Sequence, residues 1–418
     1  MRKKTEIIIV GGGTAGTIAA IQAARVGADV LLIEKNARLG GTISNAGIPY
    51  PAHFFAWGKP VVGGIGLELV SQCLLDEGRD PDDIFKNYSE QKHIAINAHI
   101  YSLIAEEALV NAGGKVLFHT MPAQVNKEKD AWTLSVCGKE GLFELESKVL
   151  IDCTGDANIV SLAGLEVIKP DKLQPASYSC RIGGYDPLKL DFEALTIAYQ
   201  QALDNGELEI TDASWDIENP SPIRFLQRFG MNANHILAGN GFDSVSRSDV
   251  EIAGRASVLR TFRWLKKQQG LSKLVLEELA PEAGIRETAM IRGKTTVSID
   301  DYESGRIFDD AVCCCYYPID RHLHSEKNSY HHLEQGTIPT IPRGALLPEG
   351  SENLIVAGRC LSSDQLANSA LRVQASCMAM GQAVGALAAL AVETDTEISA
   401  VPINTLRTML ERHQAIFP

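Results

Sequence analysis

No C-x-x-C pair occurs anywhere in the 418 residues, and the nine cysteines make an odd count. A disulfide framework and a zinc ribbon both need paired spacings, so neither is expected and reduced, buried thiols are. Basic residues are in the minority, with 39 Lys+Arg against 52 Asp+Glu and a formal net charge of −13. Nucleic acid and anionic membranes are held by clustered cations, so no partner of either kind is expected. Long apolar runs are also scarce. After the basic start only Ile7–Val10 precedes a group of glycines, too little for the core of a signal peptide. The run from Gly381 to Val392 is shorter than a membrane span. A soluble, cytoplasmic chain follows as the expectation. The 45% hydrophobic content suits a large buried core and excludes disordered and fibrous classes. The length predicts two or three domains, or one catalytic domain with a large insertion.

Glu6–Val10 is a near-continuous β-branched run, the pattern of a central parallel strand covered on both faces. It leads into Gly11-Gly12-Gly13-Thr14-Ala15-Gly16, then a helical stretch closing at Gly27, then a second apolar strand, Asp29–Ile33, ending on Glu34. Gly11 permits the tight turn, Gly13 lets backbone approach a pyrophosphate, and Gly16 lets helix and strand pack closely. The N–H groups at the helix start, from Thr14 and Ala15 onward, would face two phosphates, with the helix dipole adding to the attraction. Glu34 is placed to hold the ribose hydroxyls of an adenosine. A G-x-G-x-x-G alone is weak evidence, but strand, glycines, helix, strand and acid occur here in order.

The segment Lys35-Asn-Ala-Arg-Leu-Gly40-Gly41-Thr42 follows that acid, and Val149–Asp156 is an apolar strand ending in Thr154-Gly155. Asn353–Arg359 is another, ending in Gly358-Arg359, and Ser369–Gly385, carrying Arg372 and Val373, is rich in small residues. Together these resemble FAD-dependent oxidoreductases with a glutathione-reductase-type FAD fold. Gly284–Gly293, Ser304–Arg306, Tyr317–Asp320 and Val62–Ile65 are similar to a family of that kind distantly related to the fumarate reductase and succinate dehydrogenase flavoproteins. The resemblance covers roughly half the chain. It implies an α/β fold: a Rossmann-like, glutathione-reductase-type dinucleotide-binding domain with an inserted α+β substrate domain. FAD is the implied cofactor, along Gly11, Gly13–Gly16, Glu34, Lys35, Gly40–Thr42, Pro122, Thr154, Gly155, Gly358, Arg359, Arg372 and Val373. The last helix would start at the pyrimidine edge of the flavin, where negative charge develops on reduction. Two departures matter. Ile341-Pro342-Arg343-Gly344 stands where the family has I-P-Y-R, and Pro122 lacks the N–H needed for half of the adenine contact.

Disulfide reductases of this fold carry a cysteine pair that residues 36–72 lack. Gly63-Gly64-Ile65-Gly66 has neither a preceding strand nor the third glycine, so no second nicotinamide site is expected. Cys313-Cys314-Cys315 reads as part of a buried strand, because successive strand residues point to opposite faces and chelate poorly. His331 and His332 lack the carboxylate spacing of a metal site. No metal is expected, and neither His53 nor a cysteine is fixed beside the ring for covalent attachment.

A flavin carries the redox chemistry, so the protein must aim a substrate carbon at N5 and manage one proton. Arg286 and Arg292 are the candidates for gripping a carboxylate, since guanidinium offers a planar fork of donors; Arg286 with Glu287 as a structural pair is the alternative. His322, with His324 behind it, is the candidate proton carrier. The expected boundaries are an FAD-binding part over 1–165 with accessory strands at about 115–150, an insert over 166–345, and a return over 346–418. Hydride transfer between a small, polar, anionic metabolite and flavin N5 is the expected function, with an external electron acceptor or donor. A monooxygenase using free NAD(P)H and a non-catalytic binding protein on the same fold are the alternatives, and a homo-oligomer stays open.

Overall fold

The computed structural model describes residues 3–86, 93–322 and 329–418, which leaves His324 outside the described residues. Strand β1 (Lys3–Val10) lies at the centre of a seven-stranded sheet. Ile7, Ile8 and Ile9 are wholly buried, as the two-sided burial of a parallel strand demands. β1 pairs in parallel with β2 (Val30–Ile33), which pairs with β3 (Lys115–Leu117). Beyond these lie β4 (Met121–Glu128) and β5 (Ala131–Gly138), forming an antiparallel ribbon. The long strand β6 (Gly141–Asp152) joins both regions: Gly141–Ser147 pairs with β5, whereas much of its length runs parallel to β1. β7 (Leu354–Val356) returns from far along the chain to pair in parallel with Leu150–Asp152.

Helix α1 (Thr14–Arg25) follows β1 directly and is buried along nearly its whole length. The helix Ala98–Asn111 turns Tyr101, Ile104, Ala105 and Leu109 inward. Leu103, on the opposite face of this helix, is 70% exposed.

The second hydrophobic core is built from residues 176–285, with Tyr178, Tyr199, Phe225, Leu226 and Trp264 inside it. It holds α2 (Ile223–Gln227), α3 (Ser244–Leu265) and the antiparallel pair Cys180–Gly183 and Val275–Leu279. The insert expected to reach residue 345 has its own core only to about here. Tyr302, Phe308, Cys313, Cys315, Tyr316, Ile341 and Leu346 pack instead into the large core shared with α1. Their strand Ala311–Cys314 is buried against the C-terminal helices, which draws this segment back to the nucleotide-binding side.

The expected last helix is two helices. α4 (Gln365–Leu371) stops at Arg372, Val373 takes an extended conformation, and α5 (Gln374–Thr394) begins afresh. α5 is long and apolar enough to cross a membrane, a correction to the shorter run read from the sequence, and 94% of its apolar window is buried inside the fold. Its small residues serve contact with α1. A Cβ on Gly381 would lie 2.2 Å from the Ala15 carbonyl oxygen, and one on Gly385 would lie 2.4 Å from that of Ala19.

Candidate active site

A cavity of about 1240 Å³ runs from the start of α1, past the end of β6, to the start of α5 and the face of the 176–285 unit. At its first part Gly11 has φ +100°, and a Cβ there would stand 2.5 Å from the Cys153 carbonyl oxygen, so only glycine fits. Gly16 is closed in the same way, by the Gly11 carbonyl at 1.9 Å. Gly13 differs: a Cβ there would meet nothing within 4 Å, and as N-cap of α1 it supplies no side-chain partner to the first turn. Gly11, Gly13, Thr14 and Ala15 line the cavity there, beside the donor-rich N-terminus of a helix.

Glu34 lines the same region, but its carboxylate already accepts from Gly12 N at 2.6 Å and Asn36 N at 2.8 Å. Burial raises its pKa, and those two backbone donors act against the rise. Both oxygens keep a lone pair, so the acid braces the glycine turn as well as facing the cavity. Lys35 pairs with Glu282 at 2.7 Å, tying the end of β2 to the other unit. Gly41, Thr42, Pro122, Thr154, Gly155, Gly358 and Arg359 also line the cavity. Gly16 and Gly40 do not; they act through backbone shape, Gly40 with φ +104°.

At the start of α5, Arg372, Val373, Gln374 and Cys377 line the wall. Arg372 donates to Gln174 Oε1 at 3.1 Å and to the Asp320 carbonyl at 3.3 Å. Its Nε, the Nε of Arg359 and the Oε1 of Gln374 are buried polar atoms with no protein partner among the described residues. Buried polar atoms left open along a cavity are what a polar ligand satisfies.

Around Asp320 the lining turns cationic. Arg286 donates to the Pro175 carbonyl and to Ser177 Oγ, while Glu287 accepts from Gln174 and Gln365. The expected alternative of an Arg286–Glu287 pair is therefore not the arrangement formed. Arg224 and Arg228 sit one helical turn apart at α2, with guanidinium carbons 4.0 and 5.1 Å from the Trp215 ring centre. That spacing puts both on one face, and the apolar neighbours Phe225 and Leu226 anchor the turn in the second core. His322 Nε2 lies 3.2 Å from Asp320 Oδ1. Burial, then the nearby Arg286 charge, pull the His322 pKa down to about 4 against the opposing pull of Asp320. Burial would raise the Asp320 carboxyl, but His322, Arg372 and Arg286 hold it at about 2.

Of the three reacting groups expected from sequence, His322 and Arg286 meet in this cavity. Arg292 does not: its side chain is 49% exposed outside the lining and pairs with Glu166 at 2.7 Å, because the backbone turns it to the surface. His53 is buried away from the lining, its ring against His93 and Tyr317. Arg224, Arg228, Trp215 and Asp320 complete the cluster and were not singled out as site residues. The i,i+4 arginines, the first of them nine residues after a tryptophan, were the available signal.

The family model described as FAD dependent oxidoreductase matches residues 6–410. Digeranylgeranylglycerophospholipid reductase 1 of Methanosphaera stadtmanae is 23% identical over 194 residues, 45% of this chain and 48% of that protein. Digeranylgeranylglycerophospholipid reductase 2 of Methanothermobacter thermautotrophicus is 27% identical over 179 residues, 39% of this chain and 43% of that one. The matches thus span about half the length of these curated relatives or less. Among solved structures, a geranylgeranyl bacteriochlorophyll reductase-like protein from Thermoplasma acidophilum is similar over 99% of this chain and 85% of its own, at 12% identity and a TM-score of 0.42.

Proposed function

From the premise that the chain belongs to the FAD-dependent oxidoreductase family, we propose that it moves a hydride between a small, polar, anionic metabolite and flavin N5. The observation that carries this reading is the charge of the cavity wall. Arg224, Arg228, Arg286 and Arg372 line it, and the carboxylate among them, Asp320, is engaged with His322. In a chain of net charge −13, such a concentration of guanidinium in one cavity is what an anion would recognise.

The residues present fit FAD. The open space at Gly13 would admit a pyrophosphate against the first turn of α1, and the unpartnered polar atoms of Arg359, Arg372 and Gln374 offer contacts farther along. When bound, FAD supplies a hydride acceptor or donor at N5. The chain supplies the rest. The arginines orient the anion, Trp215 and Tyr317 wall it from water, and the start of α5 presents N–H groups toward charge that develops nearby. His322 is neutral at pH 7 and borders the cavity with its Nε2–H directed to Asp320, whose carboxylate steadies the imidazolium when the ring is charged.

Anaerobic mixing of the FAD-loaded protein with hydroxy acids, amino acids, dicarboxylates, neutral sugars, an isoprenoid phospholipid and NADPH tests the proposal. Bleaching of the flavin band by a small anion supports it. Bleaching by NADPH alone supports the monooxygenase, and reoxidation of the anaerobically reduced flavin by the unsaturated phospholipid alone supports a substrate like that for which the archaeal relatives are named.

A further inference from the structure

Helix α3 buries one face in the second core and leaves another open, and the open face is not uniformly polar. Val250, Gly254, Val258, Thr261 and Trp264 turn inward. Outward, Val245, Ile252 and Leu259 are 74%, 64% and 47% exposed. They recur at every seventh residue, and Asp249, Ala256 and Arg263, also exposed, fall between them. From Val245 to Arg263 the spacing thus alternates four and three, which puts all six on one stripe of the helix. Lys266, next in the same alternation, is exposed at the C-cap. Exposed apolar side chains scattered singly are ordinary; a regular row along a 22-residue helix, about 33 Å long, is not. Asp249 and Arg263 form no ion pair and no side-chain hydrogen bond among the described residues. Beside the stripe, Glu251 and Arg255 neutralise each other at 3.3 Å.

We propose that this stripe docks a second copy of the same chain, with α3 lying antiparallel on α3 about a two-fold axis near Ala256. The order of charges selects both the occupant and the direction. The stripe is acidic toward its start, at Asp249, and basic toward its end, at Arg263 and Lys266. Reversing one helix against the other sets Asp249 of each copy opposite Arg263 of the other, and Ile252 opposite Leu259. A parallel pair would instead oppose like charges. Ala256, small and at the axis, lets the two helices approach closely. The same patch then serves both copies, as a two-fold contact requires. One helix stripe is smaller than the roughly 800 Å² per partner of a standard interface, so the dimer is expected to depend on concentration. Ser244 and Arg247, in the first turn of α3, line the main cavity, so the two reaction cavities lie at opposite ends of the seam.

Sedimentation of the FAD-loaded full chain over a concentration series tests the pairing. Wild type is expected to move from one chain mass toward two as concentration rises. Ile252→Glu should raise the dimer dissociation constant about thirtyfold or more, because each dimer loses two buried isoleucines. Asp249→Arg alone, and Arg263→Asp with Lys266→Asp, should each stay monomeric where wild type pairs. A mixture of these two variants should associate, since every end then meets its opposite. The substituted side chains face solvent, so the flavin spectrum should match that of wild type. Wild type that is monomeric at its highest soluble concentration overturns the pairing. So does a dimer that Ile252→Glu leaves intact, or charge variants that pair alone or fail to associate when mixed. If Ile252→Glu does not take up FAD, the mixed charge variants decide. No substrate enters the measurement, so its outcome is independent of the reaction proposed above.

Discussion

Gly13 and Gly16 are three residues apart, yet a methyl group added at each meets opposite surroundings. At Gly16 it would collide with the Gly11 carbonyl at 1.9 Å; at Gly13 it would project into open space. Gly16→Ala is expected to destabilise the FAD-free protein by at least about 1–3 kcal/mol, the usual cost of overpacking. Gly13→Ala should leave thermal denaturation of the FAD-free protein unchanged while weakening FAD in a fluorescence titration. The arginines divide in the same manner. Arg286→Gln should raise the KM for a reducing anion about tenfold or more, the loss expected when a charged hydrogen bond goes unmade. The flavin spectrum should stay as in wild type. Arg292→Gln should change neither, because that side chain faces solvent with Glu166. His322 makes a pH prediction. Held at about 4 when folded, against its ordinary 6.5, it binds fewer protons than in the unfolded chain over that interval. Its contribution is complete above pH 6.5 and is lost as pH falls toward 4, at about 1.4 kcal/mol per pH unit for each such group. His53, held at about 3 chiefly by burial, acts in the same direction, whereas Asp320 changes below this window. Urea midpoints should therefore rise between about pH 4.5 and 6.5, and His322→Asn should flatten the slope.

Among the elements, β1, α1 and β2 were legible because their causes are local: a β-branched run, a glycine turn and a strand ending on an acid, adjacent in sequence. The end of the chain was half legible. Its small residues announced a close contact, but the surface they meet is α1, whose carbonyls approach Gly381 and Gly385. The break at Arg372–Val373 carried no proline or glycine to mark it, and it is this break that brings a fresh helix start to the cavity. Gly381→Ala would press a methyl to 2.2 Å from the Ala15 carbonyl and push the two helix starts apart. A lowered Tm and a weaker FAD affinity should appear together, measured by thermal denaturation with and without FAD.

For the molecule as a whole, the main cavity lies among packed hydrophobic cores, and its reacting wall is assembled from segments remote in sequence. Arg224 and Arg228 come from the 176–285 unit, Arg286 from just beyond it, His322 and Asp320 from the following segment, and Arg372 from the return to the sheet. No spacing rule links such positions, which is why His322 and Arg286 could be named singly while the cluster could not. The overlong insert expectation has the same origin: residues 297–347 look independent along the chain, but their apolar side chains complete the core around α1. A crystal structure of the FAD-loaded protein with the anion that bleaches it, held under reducing conditions, tests this arrangement of cofactor and guanidinium groups directly. The flavin is expected between the starts of α1 and α5, with the anion hydrogen-bonded to at least one of Arg224, Arg228, Arg286 and Arg372. An anion bound elsewhere, or a flavin that leaves no room beside those four guanidinium groups, would contradict it.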